Sequence, residues 1–590
     1  MPPFVLVVRE TYVLQRLLEE QPVASDLTLD ARIEGVGERV EAVEAAAHVD
    51  RVVWEPLVVW SSAPLQPRSY GNGMSAAPTS HLEIERKYDV SPDAALPELH
   101  EGAAITRTAK QYEQELEAVY YDTPDLALMS AGTTLRRRTG GDDAGWHLKR
   151  PAPKGDREEM RVPLSRATRS VPKPLRAHVR SITRDRPLEP VAQLSTHRTV
   201  HRLLGDDDVV LADLCDDVVS AQRVDQYESN GAPDTQIWRE WEVELVDGDG
   251  DLLGLVADRL TTAGASPAVT SSKLTRVLGQ PGVPRSEQQK PQFGPKSFAG
   301  DVVLAYLRAQ VTELIDRDPQ VRSDRPDAVH KMRVATRRLR SLLATFRPVL
   351  AREQTDPIRD ELKWLADDLG AARDAEVMRD RLLAVLAAQP AATVVGPVRR
   401  RITREMNETY RTAHAQIVAD LDGERYLRLL DSLDTLIDDP PWSGKADQRA
   451  EKVLPKRVQK QYTTLRDSVR ATEQASTSQE RDHLLHEARK DAKRARYAAE
   501  VLKPAFGSPA KEFAQAMESV QDLLGDHQDS AVARDVVLST AERAHAAGEP
   551  GFSYGRLHAL EEAQAQADDD AFGPLWDEVS QKRLRTWLKN

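Results

Sequence analysis

The chain has 590 residues, which at about 150 residues per domain predicts roughly two to four domains. Hydrophobic residues make up 40% and charged residues 30% of it, a composition that excludes disorder throughout. The formal net charge of −13 argues against general nucleic-acid coating, so no specific nucleic-acid partner is expected. The single cysteine, Cys215, excludes an intrachain disulfide framework and CxxC metal sites. No apolar run reaches the ~20 residues of a membrane span, and we expect a cytoplasmic protein with no membrane partner.

The first segment, residues 1–79, carries no chemical motif and ends in a stretch rich in Ser, Pro and Gly, Ser61–Ser80. Met74 lies shortly before the first motif of the chain. Two interpretations are open. The segment is a small N-terminal extension, or its start codon is assigned too early and residues 1–73 are not translated.

Residues 80–279 alternate apolar and polar side chains in short runs separated by Gly, Asp and Pro. Many strands with few helices between them predict a barrel or a sandwich. The predicted strands are Leu82–Tyr88, Glu115–Tyr121, Thr133–Arg138, Gly145–Lys149, Val209–Cys215 and Ile237–Val246.

The first and last of these strands each place acidic side chains on a single face, because side chains two residues apart point the same way. Carboxylates so crowded repel one another unless a cation lies between them. Two solvent-exposed strands are the alternative interpretation. The residues are Glu83, Glu85 and Lys87 on the first strand and Glu240, Glu242 and Glu244 on the last.

Basic residues on the remaining strands favour a closed barrel with a charged lumen. Such a lumen combines cations for a polyanion with carboxylates for a hard divalent cation, which is what a phosphate chain carrying Mg²⁺ requires. The chain has no GxxxxGK[ST] and no HExxH, which excludes a P-loop and that zinc motif. The basic residues are Arg136, Arg138, Lys149, Arg198, Arg202 and Lys273.

Residues 280–296 are rich in Pro, Gly and Gln and are predicted to be a linker. Residues 297–590 follow a helical period, with a break at Asp438–Gly444. The motif at His330–Arg340 recurs 156 residues later, and the motif at Leu369–Asp374 recurs 155 residues later. Two blocks that keep nearly one spacing predict an internally duplicated helical domain with a pseudo-two-fold axis.

Each copy of the first repeated motif forms a basic stripe along one face of its predicted helix. The first stripe contains no acidic residue, and like charges at this density are destabilising unless an anion neutralises them. A solvated charged face is the alternative. The stripes comprise His330, Arg333, Arg337 and Arg340 in the first half and His486, Arg489, Lys493 and Arg496 in the second.

The middle region resembles the CYTH domains, or triphosphate tunnel metalloenzymes. The resemblance rests on Glu83-x-Glu85-x-Lys87 and on an ordered series that follows it. It implies an eight-stranded antiparallel tunnel that hydrolyses or cyclises triphosphates with Mg²⁺ or Mn²⁺. The series comprises Leu135–Arg138, Leu148-Lys149, Arg157–Glu159, Arg198 and Arg202, Asp216-Asp217, the Glu240–Glu244 strand and Ser272-Lys273.

Matching positions carry the site residues that the CYTH resemblance implies. Glu83, Glu85 and Lys87 are expected to be catalytic. The implied metal ligands are Glu83, Glu85, Asp217, Glu242 and Glu244, with Asp213 and Asp216 competing with Asp217 for one acidic role. The implied contacts to the phosphate chain are Lys87, Arg136, Arg138, Lys149, Arg198, Arg202 and Lys273.

The helical region resembles the CHAD domain, a helical module often found after CYTH domains and associated with inorganic polyphosphate. The matching segments begin at Val329, Leu362, His486 and Leu523. The resemblance implies that both basic stripes line an anion-binding groove between the two halves.

The predicted fold class is therefore multidomain α and β, an eight-stranded antiparallel tunnel barrel followed by an all-α duplicated helical bundle. The expected function is metal-dependent hydrolysis of inorganic triphosphate, with polyphosphate bound by the helical domain. A non-catalytic polyphosphate-binding protein is the alternative. A nucleotide cyclase or another triphosphate hydrolase is less favoured, because no feature suited to adenine is present. The sequence does not indicate an oligomeric state.

Overall fold

The structure, a computed structural model, describes residues 79–99, 105–152, 156–164, 170–224, 235–279 and 292–589. The predicted N-terminal extension lies outside the described residues apart from its last residue, and so does most of the predicted linker. Neither prediction is tested by the structure.

The first domain is built on one antiparallel sheet of ten strands within the described residues. Alternating side chains define the strands, as the sequence predicts, and two of them, β3 and β7, extend to 16 residues. The strands are β1 Thr79–Glu83, β2 Glu85–Val90, β3 Arg107–Asp122, β4 Thr134–Thr139, β5 Gly145–Pro151, β6 Arg157–Pro163, β7 Glu189–Leu204, β8 Val210–Arg223, β9 Gln236–Leu245 and β10 Ser266–Pro267.

The sheet closes on itself through its first two strands. Its order is β1-β6-β5-β4-β3-β7-β8-β9-β2-β10. Strands β1 and β2 are separated in the chain only by Ile84, yet β1 pairs with β6 and β2 pairs with β9. One short stretch of chain therefore joins the two sides of the sheet into a tunnel. This confirms the predicted fold class, although the strand count is ten rather than eight, because Ile84 interrupts the first strand and β10 adds a two-residue pairing.

Most of the apolar core of this domain lies outside the sheet. On β9, Trp241 and Val243 are fully buried against apolar residues of helix α3, among them Val256. The alternation of the strand then places the side chain of Glu242 on the opposite, inner face. Helix α2 (Lys173–Thr183) covers another part of the outer surface in the same way. Helix α4 (Lys273–Leu278) instead packs on inward-facing apolar side chains, among them Leu194 and Trp238, on the same face of the sheet as Glu242. The helices of this domain are α1 Ala127–Ser130, α2 Lys173–Thr183, α3 Gly250–Thr262 and α4 Lys273–Leu278.

The second domain is all-helical, and its helices form two sets that follow each other in the chain. The predicted break at Asp438–Gly444 falls between helices α9 and α10. The first half comprises α5 Ala299–Arg322, α6 Ala328–Thr345, α7 Arg352–Ala387, α8 Val398–Leu421 and α9 Glu424–Asp438. The second comprises α10 Ala450–Thr472, α11 Ser478–Phe506, α12 Ser508–Ala546, α13 Phe552–Val579 and a 3₁₀ helix, Lys582–Lys589.

One apolar core runs through both halves of the helical domain. On α6, Met332 and Leu339 are fully buried in it, while the basic residues lie on another face of the helix. Burial of each such side chain contributes about 1.5–3 kcal/mol, so the apolar stripe fixes the direction in which the basic stripe points. None of the helices in the described segments is long and apolar enough to cross a membrane.

The two domains pack directly against each other, with α2 of the tunnel domain on α5 of the helical domain. His178 Nε2 on α2 lies 2.8 Å from Ser323 Oγ. The guanidinium of Arg184 donates to Asp431 at 3.0 Å and to Asp434 at 2.6 Å on α9. Arg184 adopts φ of 58°, a conformation that non-glycine residues rarely take without support from their surroundings. The two ion pairs provide that support.

Candidate active site and anion-binding groove

The tunnel contains a cavity whose walls are almost entirely charged or polar. Ten of the residues predicted for the tunnel site line it: Glu83, Glu85, Lys87, Arg136, Arg138, Lys149, Arg198, Glu242, Glu244 and Lys273. The other two predicted residues, Arg202 and Asp217, do not line the cavity. The remaining lining residues are Tyr120, Thr134, Asp143, Arg157, Arg161, Ser271 and Ser272.

The register of the strands arranges the charges of the cavity wall in rows. Lys87 on β2 lies opposite Glu242 on β9, so unlike charges meet there. Glu244 lies opposite both Glu85 and Asp213, so three carboxylates fall in one row. The wall therefore has a balanced part and an acidic part.

In the balanced part, the ammonium of Lys273 lies among three buried carboxylates. Its Nζ is 2.9 Å from Asp217, 2.6 Å from Glu240 and 2.7 Å from Glu242. Ligand atoms of these three acids lie within 4.8 Å of one another, an arrangement that can hold a metal ion. Arg198 adds two hydrogen bonds of 2.7 Å to Asp217 and one of 2.6 Å to Glu242. Since an ammonium already occupies the centre of this triad, a metal ion there would have to displace Lys273.

Although burial opposes ionisation, Lys273, Lys87 and Arg198 hold the pKa of Glu242 well below its usual range. Lys87 itself contacts both Glu242 and Glu85. These carboxylates are ionised and compensated. The repulsion expected from the sequence is therefore relieved here by side-chain cations of the protein.

The acidic part of the wall is less compensated. Glu83 accepts from Lys149 at 2.6 Å through one carboxylate oxygen, while its buried Oε2 has no hydrogen-bond partner among the described residues. Glu244 makes no ion pair with any residue that the structure describes. Burial, and then the negative charge of Glu83, raise the pKa of Glu244 to about 7. The least compensated oxygens of the wall are therefore Oε2 of Glu83 and the carboxylate of Glu244, which lies opposite Glu85 in the strand register.

Three aspartates on β8 compete for one acidic role in the sequence, and the structure separates them. Asp216 points away from the lumen and is bound by Arg239 at 2.8 and 2.7 Å. Asp213 lies 3.5 Å from Arg202, and both lie beyond the cavity lining. Asp217 is fully buried in the wall behind the lining residues, where Arg198 and Lys273 hold it.

Several charged residues of the wall were not among the predicted site residues. Glu159 is fully buried and contacts His147 at 2.9 Å, Arg161 at 2.5 Å and His81 at 3.2 Å. Arg157 and Arg161 alternate with it along β6 and line the cavity. Period-two alternation on Arg157–Pro163 is the signal that would have identified them.

Two of the cavity cations form no ion pair with a described residue, namely Arg157 and Arg136. Arg157 donates to the backbone carbonyls of Gly132 and Ser271. Arg136 contacts a phenol instead. Its Nη1 donates to the Tyr120 hydroxyl at 3.3 Å, and its buried Nε has no partner. Burial opposes ionisation of Tyr120, but the charge of Arg136 lowers the pKa of that phenol below its usual value. Arg138, two residues on, is paired with Asp143. An anion entering the cavity therefore meets an uncompensated guanidinium at Arg136.

The helical domain brings its two basic stripes together across α6 and α11. Burial, and then the charges of Arg337 and Arg489, lower the pKa of Lys493 to about 6. Burial and neighbouring cations also lower the pKa of Arg337. Neither Lys493 nor Arg337 forms an ion pair within the described ranges. The structure thus holds a cluster of mutually repelling cations, Arg333, Arg337, Arg489 and Lys493, which we call the central cluster.

The outer residues of the two stripes are less alike. Arg496 donates to Glu500 at 3.0 Å and to Glu518 at 2.7 Å, which neutralise it. Its counterpart Arg340 has no ion pair with any residue that the structure describes. Burial, and then the positive charge of a neighbouring residue, lowers the pKa values of His330 and His486. Those two histidines therefore add little positive charge near neutral pH.

Comparison with known proteins agrees with this architecture. Residues 81–266 match the model of the CYTH domain, and residues 305–538 match that of the CHAD domain. Uncharacterized protein Rv2226 of Mycobacterium tuberculosis strain H37Rv is 41% identical over 495 residues, which cover 82% of this chain and 93% of that protein.

Two further similarities are shorter or weaker. Thiamine-triphosphatase of Homo sapiens is 40% identical over 76 residues, 12% of this chain and 29% of that protein. The crystal structure of the CHAD domain from the plant Ricinus communis is 21% identical, with a TM-score of 0.40, and covers 50% of this chain and 95% of that one. From the long mycobacterial match and the order of the two domain matches, the chain belongs to the family of proteins in which a CYTH domain is followed by a CHAD domain.

Proposed function

We propose that the tunnel hydrolyses inorganic triphosphate with a divalent cation, and that the helical domain binds inorganic polyphosphate. The observation that carries the first part is the cavity, where Arg136, which forms no ion pair with a described residue, and the unpartnered Oε2 of Glu83 line the same space. A phosphate chain with a bound divalent cation matches both kinds of group. The CYTH match and the thiamine-triphosphatase similarity support a role with triphosphates.

The acidic part of the wall fits a divalent cation, and we assign it to Glu83, Glu85 and Glu244. All three offer carboxylate oxygens, the donors that Mg²⁺ and Mn²⁺ prefer. The unpartnered Oε2 of Glu83 and the raised pKa of Glu244 both indicate that positive charge is lacking there. When bound, such an ion neutralises charge on the phosphate oxygens. The Asp217, Glu240 and Glu242 triad is the second candidate, since Lys273 already fills it.

The cations of the protein bind and orient the chain. Arg136 has no carboxylate partner, so phosphate oxygens can bind its guanidinium without displacing an ion pair. Lys87, Arg138, Lys149 and Arg198 are each paired with a carboxylate, so phosphate oxygens compete with those pairs. The fixed positions of these cations place charge where it develops on the phosphates that are not transferred.

The test is phosphate release from tripolyphosphate with and without Mg²⁺ or Mn²⁺. We expect metal-dependent release that is lost in Glu83→Ala. Glu117→Gln is the matched control, because Glu117 is an exposed carboxylate on β3 and should leave the rate unchanged. If the wild type releases no phosphate but binds polyphosphate, the hydrolase proposal is wrong and the chain is a binding protein.

The second part of the proposal rests on the central cluster. Four cations on two helices lie within interaction distance of one another, and two of them have depressed pKa values for that reason. An anionic chain relieves this repulsion and forms charge-assisted hydrogen bonds with the guanidinium groups. Replacing Arg337 and Lys493 by Glu should abolish binding of long-chain polyphosphate and leave hydrolysis of tripolyphosphate in the tunnel intact. Equal loss of both would indicate a single shared site.

A further inference from the structure

The inner residues of the central cluster occur as two equivalent sets, one from each half of the helical domain. Arg333 on α6 corresponds to Arg489 on α11, and Gly370 on α7 corresponds to Gly525 on α12. A β-carbon placed on Gly370 would lie 3.4 Å from Arg333 Nη2, and one placed on Gly525 would lie 3.4 Å from Arg489 Nη2. Each guanidinium therefore lies directly against the backbone of the neighbouring helix, with the same geometry in both halves.

The two glycines lie in the interior of long helices, where glycine is less stabilising than alanine. Neither has a positive φ, so backbone conformation does not require them. What both share is the guanidinium over the Cα atom. A side chain larger than alanine would occupy the place of that group, because the distance is already one of van der Waals contact.

The guanidinium groups of Arg333 and Arg489 also have similar hydrogen-bond and ion-pair partners. The buried Nε atoms of Arg333 and Arg489 both lack a hydrogen-bond partner among the described residues. Arg333 lies 3.3 Å from Asp374, and Asp529, at the corresponding place in the other half, interacts with Arg489. Each set thus contains an arginine that lies between an aspartate and a helix backbone and whose Nε donor has no partner among the described residues.

We infer that the central cluster consists of two equivalent half-sites that hold one unbranched phosphate chain without regard to its direction, with Gly370 and Gly525 as positioning residues. The inference rests on the proposed polyphosphate binding. An inorganic phosphate chain looks the same from either end, so it makes the same contacts with both members of a pseudo-two-fold pair. A nucleic acid strand has unlike ends, and it cannot present the same groups to both half-sites.

The first test compares Arg333→Gln with Arg489→Gln in the full-length protein, using isothermal titration with long-chain inorganic polyphosphate. We expect each variant to lose affinity by at least about tenfold, as for a charged hydrogen-bonding group, and the two losses to agree within about twofold. Arg399→Gln is the matched control, since Arg399 is exposed at the start of α8. Losses that differ by about tenfold or more would overturn the equivalence of the half-sites.

The second test separates positioning from general stability. Gly370→Leu and Gly525→Leu should each weaken polyphosphate binding to a similar extent, whereas Gly370→Ala and Gly525→Ala should retain it, with thermal melts recorded for all four. Leucine variants that melt normally and bind like the wild type would refute the positioning role.

The third test is competition with an oligodeoxythymidylate of matched charge. We expect it to displace polyphosphate only weakly, and equal competition would contradict the selection for a chain without direction. If the wild type binds no polyphosphate, the proposed polyphosphate binding is wrong. This result differs from unequal losses in the two arginine variants, which would refute only the equivalence of the half-sites.

Discussion

Binding of polyphosphate should be coupled to the uptake of a proton by Lys493. The pKa of this lysine is lowered to about 6 by burial and by Arg337 and Arg489. At pH 8 a group with that pKa is only about 1% charged. A phosphate chain in the central cluster cancels the repulsion and favours the charged ammonium, so binding at pH 8 requires uptake of about one proton per chain. At pH 5 the free lysine is already about 90% charged, and the uptake falls to about 0.1 proton.

Isothermal titration in buffers with different ionisation enthalpies measures this number directly. Lys493→Met removes the titrating amine while keeping a side chain of similar length, and it should abolish the uptake at pH 8. The variant retains His330 and His486, so any uptake that remains in it belongs to those rings. The reasoning is refuted if the wild type binds at pH 8 with an enthalpy that does not depend on the buffer, or if Lys493→Met takes up as many protons as the wild type.

Further predictions concern stability. Glu242→Gln should lower the free energy of unfolding by about 3–5 kcal/mol, because it leaves buried cations without their partner. Glu244→Gln has no ion pair to lose and should not lower it. Urea titration without metal checks both variants, and equal losses would contradict the division of the wall into a balanced and an acidic part. Trp241→Ala should cost about 3–5 kcal/mol, while Ile237→Ala, at a side chain 72% exposed on the same strand, should cost almost nothing. The folded-state pKa of Lys493 lies below its ordinary value of 10.5, so between about pH 6 and that value the unfolded chain binds more protons. The contribution of Lys493 to the free energy of unfolding should therefore rise with pH in this window by up to about 1.4 kcal/mol per unit. Urea titrations of the wild type and of Lys493→Met at several pH values measure this contribution as their difference, and a difference that does not change with pH would contradict it.

Much of the tunnel follows from period-two alternation. The pattern at Glu83, Glu85 and Lys87 predicts a shared face, and all three side chains line the cavity. The pattern does not reveal that Ile84 divides the strand between two partners, since pairing depends on the closure of the whole sheet. It also does not reveal that Lys273 is inserted among Asp217, Glu240 and Glu242, because that contact joins a short helix to strands distant in the chain.

In the helical domain, the repeat spacing predicts two corresponding basic stripes, and the structure places their residues on α6 and α11. Sequence spacing cannot show which cations are neutralised by other helices. Arg496 has the same position in its motif as Arg340, yet Glu518 on α12 and Glu500 on its own helix bind it. The contacts of Gly370 and Gly525 with arginines cannot be predicted from the sequence either, because each arginine comes from a neighbouring helix.

Most of the apolar core of the tunnel domain lies outside the sheet, while the charged side chains of the site lie inside. Stability and chemistry are therefore assigned to alternate residues of the same strands. Substitutions on the inner face can change which anion or cation is favoured, provided that each buried charge keeps a counter-charge, while the outer layer continues to hold the barrel closed. Such a separation makes the barrel an evolvable scaffold, on which descendants of one ancestor can acquire different substrates without redesigning the packing that folds them.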